Sequence, residues 1–187
     1  MITVKRSRLA GLGELMLPGA GVGAMAGVFA GLATLVVGLS PGLALVNALG
    51  LGIPMALFGG TYTILCAQGI ARVGVYAPCA LFWLVGYPVS RIVQETSAGV
   101  YLDGSLGLST DLVAFYLYNA LLAPGLAFGF IWLHERLAPP WLLRIRDHNR
   151  LAAGLAAAYL TYAQRVFEQK QRRAAMRAHK KQRAVGA

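Results

Sequence analysis

Residues 18–39 read PGAGVGAMAGVFAGLATLVVGL, and they decide what kind of molecule this is. The stretch holds no charged residue and is longer than the apolar segment of a cleavable signal, which runs about 7 to 15 residues. A helix needs roughly 17 to 25 apolar residues to cross a hydrocarbon core. Three more stretches reach that range, at residues 43–67, 73–90 and 112–133. Lys5, Arg6 and Arg8 before the first give it the outline of a secretory signal, but spans follow it, so it is expected to be retained uncleaved.

Composition agrees. The chain has 187 residues, mean hydropathy +0.60, 57% hydrophobic and only 13% charged residues. That is more apolar surface than one small globular core can hide, and lipid is the natural sink. The net charge of +10 would suggest nucleic acid for a soluble protein. Its placement says otherwise. Lys5, Arg6 and Arg8 precede the first span, Arg72 lies between the second and third, and twelve more follow the fourth, leaving Arg91 as the exception. Cytoplasmic loops are enriched in Lys and Arg, so both termini are expected in the cytoplasm. The expected fold is all-α: a polytopic membrane protein with a four-helix transmembrane bundle (residues 1–137) and a basic amphipathic cytoplasmic C-terminal helix (138–187). The third span is the weakest of the four, being short and carrying Pro78 and Pro88.

The connections follow from turn chemistry. Ser40-Pro41-Gly42 and residues 68–72 are short enough for antiparallel hairpins. A longer loop is expected over 91–111, with a turn at Asp103-Gly104 and an N-cap from Ser109-Thr110-Asp111. Trp83, Trp132 and Trp141 sit near predicted ends, as interfacial belts do. Pro139-Pro140 is expected to halt the fourth helix, with 141–146 lying at the interface. Asp147 or Asn149 would cap a last helix reaching about residue 181. Its first half places Leu151, Leu155, Tyr159, Tyr162 and Val166 on one packing stripe.

Gly19, Gly23, Gly27 and Gly31 recur every four residues, which puts all four on one helix face. In lipid such a face lets another backbone approach closely. Gly52, Ala56 and Gly60 repeat the theme in the second span, and Gly125 with Gly129 in the fourth. Packing of the first helix on the second, self-association and docking on a partner subunit all fit this spacing.

Absences narrow the chemistry. No ionisable residue falls in the middle of a predicted span, which disfavours coupled transport. His134, His148 and His179 are all expected outside the hydrocarbon core, and His134-Glu135 is expected as an interfacial polar pair. There is no Walker loop, zinc-type spacing or nucleophile elbow, so no catalytic residue, metal ligand or cofactor is assigned. Cys66 and Cys79 sit in apolar runs and are expected as small buried hydrophobes. Pro54 and Pro124 are expected as kinks, and Asn47, Asn119, Thr61, Thr63 and Gln68 as interhelical hydrogen-bonding groups.

Arg165, Lys170, Arg172, Arg173, Arg177, Lys180, Lys181 and Arg183 form a basic tail with Glu168 as its one acid. Anionic lipid or an acidic partner suits it, and no aromatic follows Gln169 to stack on bases, so sequence-specific nucleic-acid binding is unsupported. The residues assemble into no family signature, and the Ala, Gly, Leu and Arg richness resembles a high-GC bacterial chain. The expected function is a non-enzymatic subunit or assembly factor in the bacterial cytoplasmic (inner) membrane, in contact with lipid and with other subunits or itself. A homo-oligomeric, holin-like pore and an uncoupled transporter of an apolar or lipid substrate are the rivals.

Overall fold

The computed structural model describes residues 2–106 and 111–185, with side chains described within 9–177. Five helices make it up: α1 (Ile2–Val36), α2 (Pro41–Ala67), α3 (Tyr76–Asp103), α4 (Leu112–Ile145) and α5 (Arg150–Val185). The described residues include no strand. Three segments are long and apolar enough to cross a membrane, Leu9–Val36, Pro41–Ala67 and Leu112–Ile145. They mark the chain as a multi-pass membrane protein. α3 is not among them, and its second half carries Arg91, Glu95 and Asp103.

Local chemistry accounts for most helix ends. Gly38 (φ +82°) takes the left-handed conformation that closes α1, and the Ser40 hydroxyl then accepts the Leu43 N–H at 3.3 Å while Pro41 opens α2. α3 ends on left-handed Gly104, whose N–H returns to the Val100 carbonyl at 3.1 Å. The Asp111 carboxylate caps α4 through the Ala114 N–H at 2.9 Å; Ser109 and Thr110 lie outside the described residues. Of the two candidate caps for α5, the structure uses Asn149, whose Oδ1 accepts the Ala152 N–H at 3.2 Å.

Two boundaries correct the sequence reading. The expected loop over 91–111 is helical as far as Asp103, because Ser90, Gln94 and Gly99 are buried at spacings that continue the α3 packing face. Pro139-Pro140 does not halt α4, which runs to Ile145 and absorbs 141–146. Asn119, Ala123, Ala127, Phe130, His134, Ala138, Leu142 and Ile145 form one buried stripe at intervals of three and four, straight through both prolines. Burial of that stripe offsets the two backbone hydrogen bonds the prolines remove.

Antiparallel α1 and α2 form the most extensive contact, followed by α2 with α3 and α3 with α4. α1 also meets α4, and α5 folds back on α4 and on the end of α2. Its buried face is Ala152, Leu155 and Ala156, with Tyr159 partly buried, so the expected stripe is shifted: Leu151 is exposed and Leu155 is sealed. An aromatic cluster of Phe58, Tyr62, Phe82, Trp83 and Phe130 fills the bundle. Trp83 lies at its centre with no exposure and is therefore not a belt residue. Trp132 is half exposed with the Arg136 guanidinium 4.0 Å over its ring.

Two interior prolines have their orphaned carbonyls answered from another helix. Pro88 frees the Leu84 carbonyl, which accepts the Tyr116 hydroxyl at 3.0 Å. Pro18 frees the Glu14 carbonyl, which accepts the Trp141 indole N–H at 2.8 Å. Backbone polar groups must be satisfied inside the protein when lipid surrounds it, and neighbouring helices are the available donors.

Candidate functional site

A buried polar cluster lies where α4 and α2 meet α5. His134 is 1% exposed, sealed inside the helix bundle. It stands on the α4 stripe, and α4 continues eleven residues beyond it instead of ending there. The ring stacks on Phe130 at 5.5 Å between centroids and meets Tyr62 edge-on at 5.7 Å. Its Nε2 lies 2.9 Å from the Thr63 hydroxyl and its Nδ1 3.4 Å from the Tyr159 hydroxyl.

One proton arrangement satisfies the whole cluster. Thr63 donates to the Gly59 carbonyl at 3.4 Å and accepts from Nε2–H, while Tyr159 donates to Nδ1. Burial pushes the Tyr159 pKa up, so its hydroxyl stays a donor. No carboxylate contacts the ring among these partners, and a neutral imidazole bridging Thr63 on α2 to Tyr159 on α5 holds three helices together. This is a clamp, because His134 has no water-accessible face from which to exchange a proton with a substrate.

Glu135 faces the other way. Its Oε1 is sealed from solvent without a hydrogen-bond partner, and the carboxyl receives the backbone N–H of Gly74 from the turn between α2 and α3. The side chain lines a cavity of about 520 Å³ between α4 and α5, with Tyr159, Tyr162, Leu160, Phe167 and Lys170 among its walls. The expected interfacial pair His134-Glu135 is thus split between a buried clamp and a cavity wall. A second cavity of about 460 Å³ lies across α5, lined by Arg72, Arg165 and Thr161. Among the described residues no three His, Cys, Asp or Glu side chains gather as a metal site would need. Cys66 and Cys79 are free and buried.

At the opposite end of the bundle a polar chain crosses three helices. Asn47 Nδ2 donates to Thr34 Oγ1 at 3.0 Å, Gln94 Nε2 donates to Asn47 Oδ1 at 3.1 Å, and Arg91 donates to Gln94 Oε1. Arg91 also pairs with Glu95 at 3.6 Å. Of the other polar span residues, Thr61 and Asn119 bond back to carbonyls of their own helices, Leu57 and Phe115.

The glycine face lies within the chain, against α2. A Cβ at Gly19 would meet Gly59 and Thr63, at Gly23 Met55 and Ala56, at Gly27 Ala48 and Gly52, and at Gly31 Ala44 and Ala48. A Cβ at Gly60 would meet Met16. Gly125 and Gly129 face open space. Arg165, Lys170, Arg172, Arg173 and Arg177 are exposed along α5, while the side chains of Lys180, Lys181 and Arg183 lie outside the described residues. Hydropathy missed the buried position of His134 and the place of Glu135 beside it because a charged tripeptide ended the fourth span on that scale. The unbroken three-and-four spacing through Ala138, Leu142 and Ile145 was the signal that would have found them.

Set against known protein families, curated proteins and solved structures, the chain matches none of them.

Proposed function

We propose that the protein is a non-enzymatic subunit that scaffolds a larger complex in the bacterial cytoplasmic membrane. α1 to α4 all span, both termini are cytoplasmic, and the basic half of α5 docks on the anionic surface there. The observation that carries this reading is the state of α5. From Thr161 to Arg177 every side chain except Val166 is exposed, and none of the five basic ones in that stretch has an ion-pair partner among the described residues. A helix polar on most sides gains little from its own bundle and calls for a charged surface, where each Lys or Arg contributes about 1 kcal/mol.

α3 as the fourth span is supported by its 28-residue length and by the inward pairing of Gln94 and Arg91 with α2. An even number of spans also keeps Lys5, Arg72 and the tail on one side. A pore is less well supported, since the Asn47, Gln94 and His134 side chains are bonded across helices within the chain.

The test is purification of tagged full-length protein in nanodiscs, with mass determination of what accompanies it. Unrelated membrane proteins at fixed stoichiometry are expected, and changing Arg165, Lys170, Arg172, Arg173 and Arg177 together to Gln should release them at lower salt. Recovery as a homo-oligomer that passes ions in vesicles would overturn the proposal.

A further inference from the structure

The cavity between α4 and α5 is an apolar wedge with two charged side chains, Glu135 and Lys170, in its wall. The cavity that Glu135 lines is walled by Leu143, Leu160 and Phe167, which are 44%, 56% and 62% exposed, so the chain leaves this apolar wall uncovered. One further charge lines the cavity, Lys170 on α5, and no ion pair joins it to Glu135. An acid and a base therefore share one greasy wedge. The same stretch of α4 carries the Trp132–Arg136 pair, a combination suited to the headgroup layer.

We propose that this wedge between α4 and α5 holds the headgroup of a membrane phospholipid bearing a free ammonium. Glu135 accepts from the ammonium, Lys170 faces the phosphate, and the acyl chains lie on Leu160 and Phe167. A purely anionic lipid would satisfy Lys170 and bring a second negative charge against Glu135. A trimethylated headgroup matches the charges but has no N–H to donate, whereas a primary ammonium offers three. The inference rests on the membrane reading above, but not on what the basic half of α5 docks against.

The test uses full-length protein stripped of lipid in detergent and titrated, under native mass spectrometry, with phosphatidylethanolamine, phosphatidylcholine and phosphatidylglycerol of identical chains. Phosphatidylethanolamine is expected to be retained about tenfold over the other two, the value of one charge-assisted hydrogen bond. Glu135→Gln should erase the preference over phosphatidylcholine. Lys170→Gln, on an exposed helix face, should weaken both zwitterionic lipids alike. Soluble phosphoethanolamine should compete only weakly; if it competes as well as the lipid, the ligand is a free phosphoamine and the lipid assignment falls. Equal retention of all three lipids, an unchanged preference in Glu135→Gln, or a photo-crosslink from position 167 that captures a protein in place of lipid would each overturn the proposal. Should Glu135→Gln fail to fold, the wild-type lipid ranking and Lys170→Gln decide by themselves.

Discussion

The indole Nε1 of Trp141 donates to the backbone carbonyl of Glu14 at 2.8 Å, and that carbonyl is the one Pro18 deprives of its helical partner. The two residues are far apart in sequence, yet one supplies the donor that the proline on the other helix took away. Nearby, Asn149 Nδ2 donates to the Gly11 carbonyl at 2.7 Å and His148 Nε2 lies 3.0 Å from Glu14 Oε2. The start of α1 is thereby tied to the junction of α4 and α5.

Replacing Trp141 with Phe keeps the ring but leaves the Glu14 carbonyl unanswered. A loss of about 1 to 3 kcal/mol in reversible unfolding in mixed micelles is expected. In a Pro18→Ala background the helix can supply its own N–H again, so the same change should cost at least about 1 kcal/mol less. Equal costs in the two backgrounds would remove the proline from the account.

Gly23→Ala should be far more damaging than its size suggests, because the new Cβ would enter the space of the Met55 backbone carbonyl. Forcing the two backbones apart is expected to cost about 1 to 3 kcal/mol, and Gly23→Leu to prevent folding. Gly21 faces open space, so Gly21→Ala should be neutral or stabilising by up to about 1 kcal/mol. Thermal unfolding in one detergent compares the three directly.

Tyr159→Phe removes the one hydroxyl that joins α5 to the His134 clamp. The expected signature is local: faster proteolysis within α5 at unchanged stability of α1 to α4. His134→Ala should be worse by about 2 to 4 kcal/mol, since it opens a cavity beside Phe130 and strands the Thr63 and Tyr159 hydroxyls. If Tyr159→Phe and wild type are cleaved at the same rate, the clamp does not hold α5.

Gln94→Leu cuts the polar chain at its middle, leaving Asn47 Oδ1 without its donor and Arg91 without its acceptor. A loss of about 1 to 3 kcal/mol is expected. Adding Asn47→Leu and Arg91→Leu should recover part of it, because the two groups that Gln94→Leu leaves without a partner are then replaced by apolar ones. Chemical unfolding of the single and triple variants measures the difference.

Gly19, Gly23, Gly27 and Gly31 show how far local pattern reaches. Their spacing specifies a shared helix face, but which backbone lies against it depends on the short turn at Ser40, and equal spacing serves contact within or between chains. The α4 stripe shows the opposite case. Hydropathy averages over a window and stops at His134-Glu135-Arg136, whereas burial follows one face and passes through them. Asn149 and Asp111 were readable as caps because a cap answers to residues three positions away.

What the amino-acid sequence by itself determined is therefore the set of helices, since length, apolarity and capping are properties of neighbouring residues. Only the tertiary structure decided that Trp141 answers Pro18, that Tyr116 answers Pro88, and that His134 joins Thr63 to Tyr159. Each of these pairs a donor and an acceptor on different helices, and hydrogen bonding in the protein interior is settled by which groups the packed bundle brings within about 3 Å of each other.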